Sequence, residues 1–134
     1  TGVAAFVGVD TVIPAEVTGS QEGMLQLKAG SYTLECPGTA NTGQLVLLCL
    51  RPEDITLWMD GAAPQSSARN RMQGVVQRCS VQGALVRIQV DCGFPVVALI
   101  TRSSWMEMGI RDGTRVTVTF KATAGHVLPR AASK

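Results

Sequence analysis

Thr42-Gly43-Gln44 runs into Leu45-Val46-Leu47-Leu48-Cys49-Leu50 and stops at Arg51, and Asp112-Gly113-Thr114 runs into Arg115-Val116-Thr117-Val118-Thr119-Phe120 and stops at Lys121. Each is a glycine turn, a short run rich in apolar or β-branched residues, and a closing base. Such runs bounded by turn residues read as strands. Their recurrence in the two halves of the chain points to two similar units.

Working outward from this pair, strand signals dominate. Val12–Thr18 is expected to be a strand, with Pro14 marking its edge or start. Met24–Lys28 and Tyr32–Cys36 flank the hairpin turn Ala29-Gly30-Ser31, and a short strand is expected over Ile55–Trp58. Asp60–Ser67 is the clearest linker. Beyond it, strands are expected over Met72–Ser80, Ala84–Asp91, Pro95–Thr101 and Thr114–Lys121. Ser103–Met108 has helix character, with Ser103 or Ser104 to cap its start and Gly109 to end it. The expected fold is all-β: two small five-stranded barrels of the oligonucleotide/oligosaccharide-binding type in tandem, over residues 1–65 and 66–134, with one short helix in the second.

The chain has 134 residues, 46% of them hydrophobic, and a net charge of +2. Its length suits one compact unit or two very small ones. No apolar run approaches the roughly 20 residues of a membrane span. The chain begins at Thr1 without a visible signal peptide and reads as a piece of something longer. Charge is uneven: residues 1–65 hold two bases and seven acids, whereas residues 66–134 hold ten bases and three acids. An anionic ligand is drawn to the second half. Cys36, Cys49, Cys79 and Cys92 form no C-x-x-C pair, and His126 is the one histidine, so a zinc site is not expected. Free thiols in a reducing cytoplasm fit better than a disulfide framework.

The stretch with the most chemistry is Ser66-Ser67-Ala68-Arg69-Asn70-Arg71-Met72-Gln73-Gly74. Ser67 offers a hydroxyl, Arg69 a planar set of donors and Asn70 an amide, and consecutive backbone N–H groups there can converge on one anion. The ordinary alternative is a solvated linker leading into a strand.

Three ordered segments strengthen the anion reading: Ser67-Ala68-Arg69-Asn70, Ile100-Thr101-Arg102-Ser103-Ser104 and Phe120-Lys121-Ala122. With Gly109-Ile110-Arg111-Asp112-Gly113, they resemble a Mop domain, the molybdate- or tungstate-binding module. In the first half, Ala5-Phe6-Val7-Gly8 and Leu50-Arg51-Pro52-Glu53-Asp54-Ile55 resemble the TOBE region that follows the nucleotide-binding domain of ABC importers. The resemblance implies a cytoplasmic regulatory domain of a molybdate- or tungstate-type importer ATPase, on the inner face of the membrane. It implies oxyanion contacts from Ser67, Ala68, Arg69, Asn70, Lys121 and Ala122 of one copy and from Thr101 and Ser104 of a facing copy in a homodimer. Ala122-Thr123 departs from the family, where a serine often lies at or near this place; Thr123 is the candidate replacement. No cofactor is implied, and the partners are an ATPase domain in the same parent chain and, through it, the membrane subunits of the transporter.

The chemistry agrees with that implication. Molybdate and tungstate are tetrahedral dianions that accept hydrogen bonds and donate none at neutral pH. The three segments supply donors and contain no carboxylate, and charged hydrogen bonds are roughly twice as strong as neutral ones. No G-x-x-x-x-G-K-[ST] loop is present, so this stretch is not the ATPase part itself and is not expected to be an enzyme. A free-standing storage or regulator module is a second reading. A nucleic-acid-binding barrel is the third, and no nucleic acid is expected: Phe94, Trp105 and Phe120 are the only aromatic residues of the second half, few for a stacking groove.

Overall fold

The computed structural model describes residues 10–64 and 69–130, apart from the side chain of Arg69. Ten strands run in the order β1 (Thr11–Gln21), β2 (Met24–Ala29), β3 (Tyr32–Pro37), β4 (Leu45–Leu50), β5 (Thr56–Met59), β6 (Arg69–Gln82), β7 (Leu85–Asp91), β8 (Pro95–Thr101), β9 (Arg115–Lys121) and β10 (His126–Pro129). One helix, α1 (Arg102–Met108), follows β8, and 3-10 turns cover Pro52–Asp54 and Ala122–Ala124.

The strands form two antiparallel five-stranded sheets, ordered β10-β4-β1-β2-β3 and β5-β9-β6-β7-β8. The sheets are interleaved in sequence. After the turn at Pro52–Asp54 the chain leaves the first sheet and lays β5 beside β9; after Ala122–Ala124 it leaves the second and lays β10 beside β4. A cut between residues 65 and 66 therefore assigns one strand of each sheet to the other half. Gly125 allows the second crossing, because a Cβ there would lie 2.8 Å from Leu48 Cδ1 and 3.1 Å from Cys36 Cβ. Strand β10 carries no clear signal in the sequence: His126-Val127-Leu128-Pro129 is short and ends in proline.

Alternation builds the core. Ile13, Ala15 and Val17 of β1 face inward, as do Val86, Ile88 and Val90 of β7, while Glu16 and Gln89 face out. Met72, Val118 and Phe120 join Leu27, Leu34 and Leu48 in one continuous apolar cluster, so the two sheets share a core. Pro14 lies in a strand with neighbours on both sides overall, yet pairing with β2 begins only at Glu16; at Pro14 itself, β4 is the only paired strand. Its missing N–H costs no ladder bond there.

The repeat is deeper than the two segments that first suggested it. Register slips after Val17 in β1 and after Val76 in β6. Six residues before each slip stands a buried polar residue, Thr11 or Asn70. Thr11 pairs with Leu50 and Asn70 with Phe120, and each of these immediately precedes the basic residue that starts a 3-10 turn. These 3-10 turns then pack on the opposite halves: Pro52–Asp54 against β8, Ala122–Ala124 against β3.

Candidate functional site

Of the expected oxyanion residues, Ser67 and Ala68 lie outside the described residues. The backbone of Arg69 pairs with that of Lys121 at the start of β6. Two of the three segments singled out in the sequence thus meet at one end of the second sheet. Lys121 is exposed, and Ala122 begins the 3-10 turn after it.

Asn70, expected among the oxyanion contacts, spends its side-chain amide on a neighbouring strand. It is 5% exposed, its Oδ1 accepts the backbone N–H of Glu35 at 2.7 Å, and its Nδ2 donates to the Glu35 carbonyl at 2.8 Å. The amide satisfies both backbone groups of a residue on β3, the edge strand of the first sheet. The matching position in the first repeat does half of this: Thr11 Oγ1 accepts the N–H of Val97 on β8 at 2.9 Å.

Thr101 and Ser104 stand elsewhere. Thr101 pairs with Leu85, and Leu85 with Gln82, at the opposite end of the 14-residue strand β6 from Arg69. That is roughly 40 Å of strand contour. Thr101, not Ser103 or Ser104, caps α1: its Oγ1 accepts the Ser104 N–H at 3.1 Å and lies 3.0 Å from Ser104 Oγ. Gly109 closes the helix in the left-handed region at φ 68, as its sequence position suggested. Within one chain, Thr101 and Ser104 are not brought to Arg69 and Lys121.

Lys121 opens onto a cleft of about 630 Å³ that sequence reasoning did not assemble. Arg51, Glu53 and Asp54 line it from the first crossing, Thr123 and His126 from the second, with Trp58 between them. Trp58 Nε1 donates to Thr119 Oγ1 at 2.8 Å, which fixes the indole on β9. The signal for this convergence was present in the repeat, since Arg51 and Lys121 end equivalent strands.

An ion pair among the described residues also joins the halves: Arg87 Nη1 donates to Asp10 Oδ2 at 2.6 Å, and this hydrogen bond raises the affinity of Arg87 for its proton. The four cysteines are free thiols. Burial pushes Cys36 up to about 11 and Cys92, with help from the charge of Asp91, up to about 12. None is poised as a nucleophile. Among the described residues no group of three or more His, Cys, Asp or Glu could hold a metal ion, and no helix is long and apolar enough to cross a membrane.

The family model for the TOBE domain matches residues 48–128. The molybdate/tungstate import ATP-binding protein WtpC of Pyrococcus horikoshii is 38% identical over 128 residues, which cover 95% of this chain and 34% of that protein. The protein of the same name from Pyrococcus abyssi is 34% identical over 124 residues, covering 92% and 33%. The chain thus spans about a third of the length of these curated relatives. Among solved structures, the cytoplasmic molybdate-binding protein ModG, crystallised with molybdate, superposes with a TM-score of 0.83 at 18% identity, covering 90% of this chain and 96% of that one. At that identity the likeness concerns the fold.

Proposed function

This chain belongs to the TOBE domain family, and on that premise we propose that it is the regulatory domain of an ABC importer ATPase and binds molybdate or tungstate. On this reading each sheet curls as a small barrel, and the two stand in tandem. Residues 1–65 supply most of the TOBE unit with its Arg51-Pro52-Glu53-Asp54 motif, and residues 66–134 most of the oxyanion unit, each half lending one strand, β5 or β10, to the other. Ser67, Ala68, Arg69, Lys121 and Ala122 of one copy contact the anion, with Asn70 holding the start of β6 in place. Thr101 and Ser104 come from a second copy.

The supporting observation is the separation along β6. Arg69 and Lys121 share one end, while Thr101 and Ser104 share the other. Neither group has enough donors to enclose a dianion, so a two-fold pair of chains completes two equivalent sites. Ligand then favours the paired state, because the anion bridges it. Joined to ATPase domains in the parent chains, such a pair holds them in one arrangement when cytoplasmic oxyanion is plentiful and opposes import, a population shift driven by differential affinity. The membrane subunits are the further partners, and the domain lies at the inner face of the membrane through them. Catalysis belongs to the ATPase part of the parent protein, and this domain needs no cofactor.

The names of the relatives and of the structural neighbour favour the oxyanion class. The nucleic-acid alternative has less support: Phe120 is buried and Phe94 and Trp105 are half-buried, so none offers an open stacking face. Isothermal titration with tungstate, against sulfate as control, tests the reading. Saturable heat with tungstate is expected, and its absence at millimolar ligand contradicts it.

A further inference from the structure

The two repeats can be compared residue by residue at the ends of β1 and β6, and there they differ in charge. Asp10 precedes Thr11 as Arg69 precedes Asn70. The Asp10 N–H donates to the Leu50 carbonyl at 3.3 Å, beside Arg51, in the place where Arg69 pairs with Lys121. The first repeat thus has the base of the closing position, Arg51 for Lys121, but an acidic residue, Asp10, at the sequence position matching Arg69.

A second cation reaches this corner from the other half. Arg87 of β7 pairs with Ser80 of β6, and its counterpart in the first repeat is Met24 of β2, which pairs with Gln21 of β1. Arg87 holds Asp10 at 2.6 Å. The corner therefore pairs one base, Arg87, with the carboxylate of Asp10, with Arg51 next in the chain after Leu50, whereas the equivalent positions of the second repeat are the bases Arg69 and Lys121, with methionine in the place of Arg87.

We propose that the Asp10 corner is a latent anion site closed by its own side chain: the carboxylate of Asp10 stands in for a bound anion, so that each chain takes one oxyanion and not two. A dianion entering beside Asp10 would meet a like charge at short range and would have to displace a charge-assisted hydrogen bond from Arg87. Removing the carboxylate reverses both terms. Arg87 loses its partner, and the positions equivalent to Arg69 and Lys121 no longer carry a carboxylate beside the base Arg51. The inference rests on the oxyanion reading above for the count in the wild-type chain, but the corner itself is testable without it.

The experiment is equilibrium dialysis against tungstate, with bound tungsten measured per chain. Wild type is expected to saturate at one tungstate per chain, Asp10→Ser at two, and Asp10→Ser/Arg87→Ala at one again. Asp10→Asn, which keeps the volume and removes the charge, is the second variant and is expected to gain the same additional tungstate. Two tungstates per wild-type chain overturn the inference while leaving the oxyanion function standing. Folded Asp10 variants that gain nothing also overturn it. A wild type that binds none contradicts the oxyanion function, while a gain of one in Asp10→Ser that is lost with Arg87→Ala still supports the latent corner.

Discussion

The side-chain amide of Asn70 replaces a missing strand neighbour for Glu35, accepting its N–H at 2.7 Å and donating to its carbonyl at 2.8 Å. Glu35 lies on β3, the last strand of the first sheet, so its outer backbone groups have no ladder partner. A primary amide presents the same donor and acceptor as a peptide unit, and it closes this edge with one residue. The residue read from sequence as a ligand contact thus also ties the two sheets together at the base of the proposed site.

Asn70→Ala is expected to lower stability by about 2 kcal/mol, because two part-buried backbone groups lose their partners. Thr11→Val, which removes one such bond at the equivalent place, is expected to cost about 1 kcal/mol. Urea denaturation of both variants checks the order. Equal effects would contradict the view that the amide serves both groups of Glu35.

Gly74→Ala is expected to be among the most damaging small substitutions in the chain. A Cβ at this point of β6 would lie 2.5 Å from Val90 Cγ1, 2.8 Å from Cys92 Sγ and 3.0 Å from the Asp91 carbonyl oxygen. The last is backbone and cannot turn aside. A loss of about 3 kcal/mol, at the upper end for overpacking, or failure to fold is expected. Thermal unfolding beside wild type gives the answer.

Stability is expected to fall on the alkaline side. Cys36 and Cys92 are raised by burial from 9.0 to about 11 and about 12. Between pH 9 and those values, the unfolded chain loses thiol protons that the folded chain keeps. The unfolded state then binds fewer protons and stability declines as pH rises. Denaturant midpoints at pH 8, 9.5 and 10.5 should decrease in that order, with the drop reduced in Cys36→Ala/Cys92→Ala. In the same protein at pH 8, Cys36 and Cys92 should react with iodoacetamide only after unfolding.

Much of this architecture was legible because its strands carry a clean period of two. Pro95–Thr101 has the boundaries expected, and Leu85–Asp91 begins one residue later. The exchange of β5 and β10 between sheets was not legible, since a four-residue strand such as His126–Pro129 has too few positions to declare a face. The boundary between residues 65 and 66 was therefore expected without the exchange of one strand from each side of it. At the site, the segments of Arg69 and Lys121 were grouped by resemblance, and the backbones of the two residues are paired. The hydrogen bonds of Asn70 depend on which backbone groups the fold leaves unpaired, a property of tertiary structure, whereas the cap formed by Thr101 is a local bond to Ser104.

Arg69→Ala and Lys121→Ala are each expected to weaken tungstate binding by about 2–3 kcal/mol, the scale of a hydrogen bond to a charged group. Arg78→Ala, exposed farther along β6, should leave affinity unchanged. Titration calorimetry on folded variants makes the comparison. Unchanged affinity in the first two would move the site elsewhere.

The proposed interface makes a demand that only two copies can meet. Lys121→Ala removes one half of each site, and Thr101→Ala/Ser104→Ala removes the other, at a cost of about 1 kcal/mol for the lost helix cap. Each variant alone should bind tungstate poorly. In a mixed pair, one site has lost both halves and the other keeps Lys121 from one chain with Thr101 and Ser104 from its partner. Equilibrium dialysis of the equimolar mixture should therefore recover tungstate binding at near wild-type affinity, up to one site per mixed pair. A mixture that binds no better than its two components measured separately would contradict a site shared between chains.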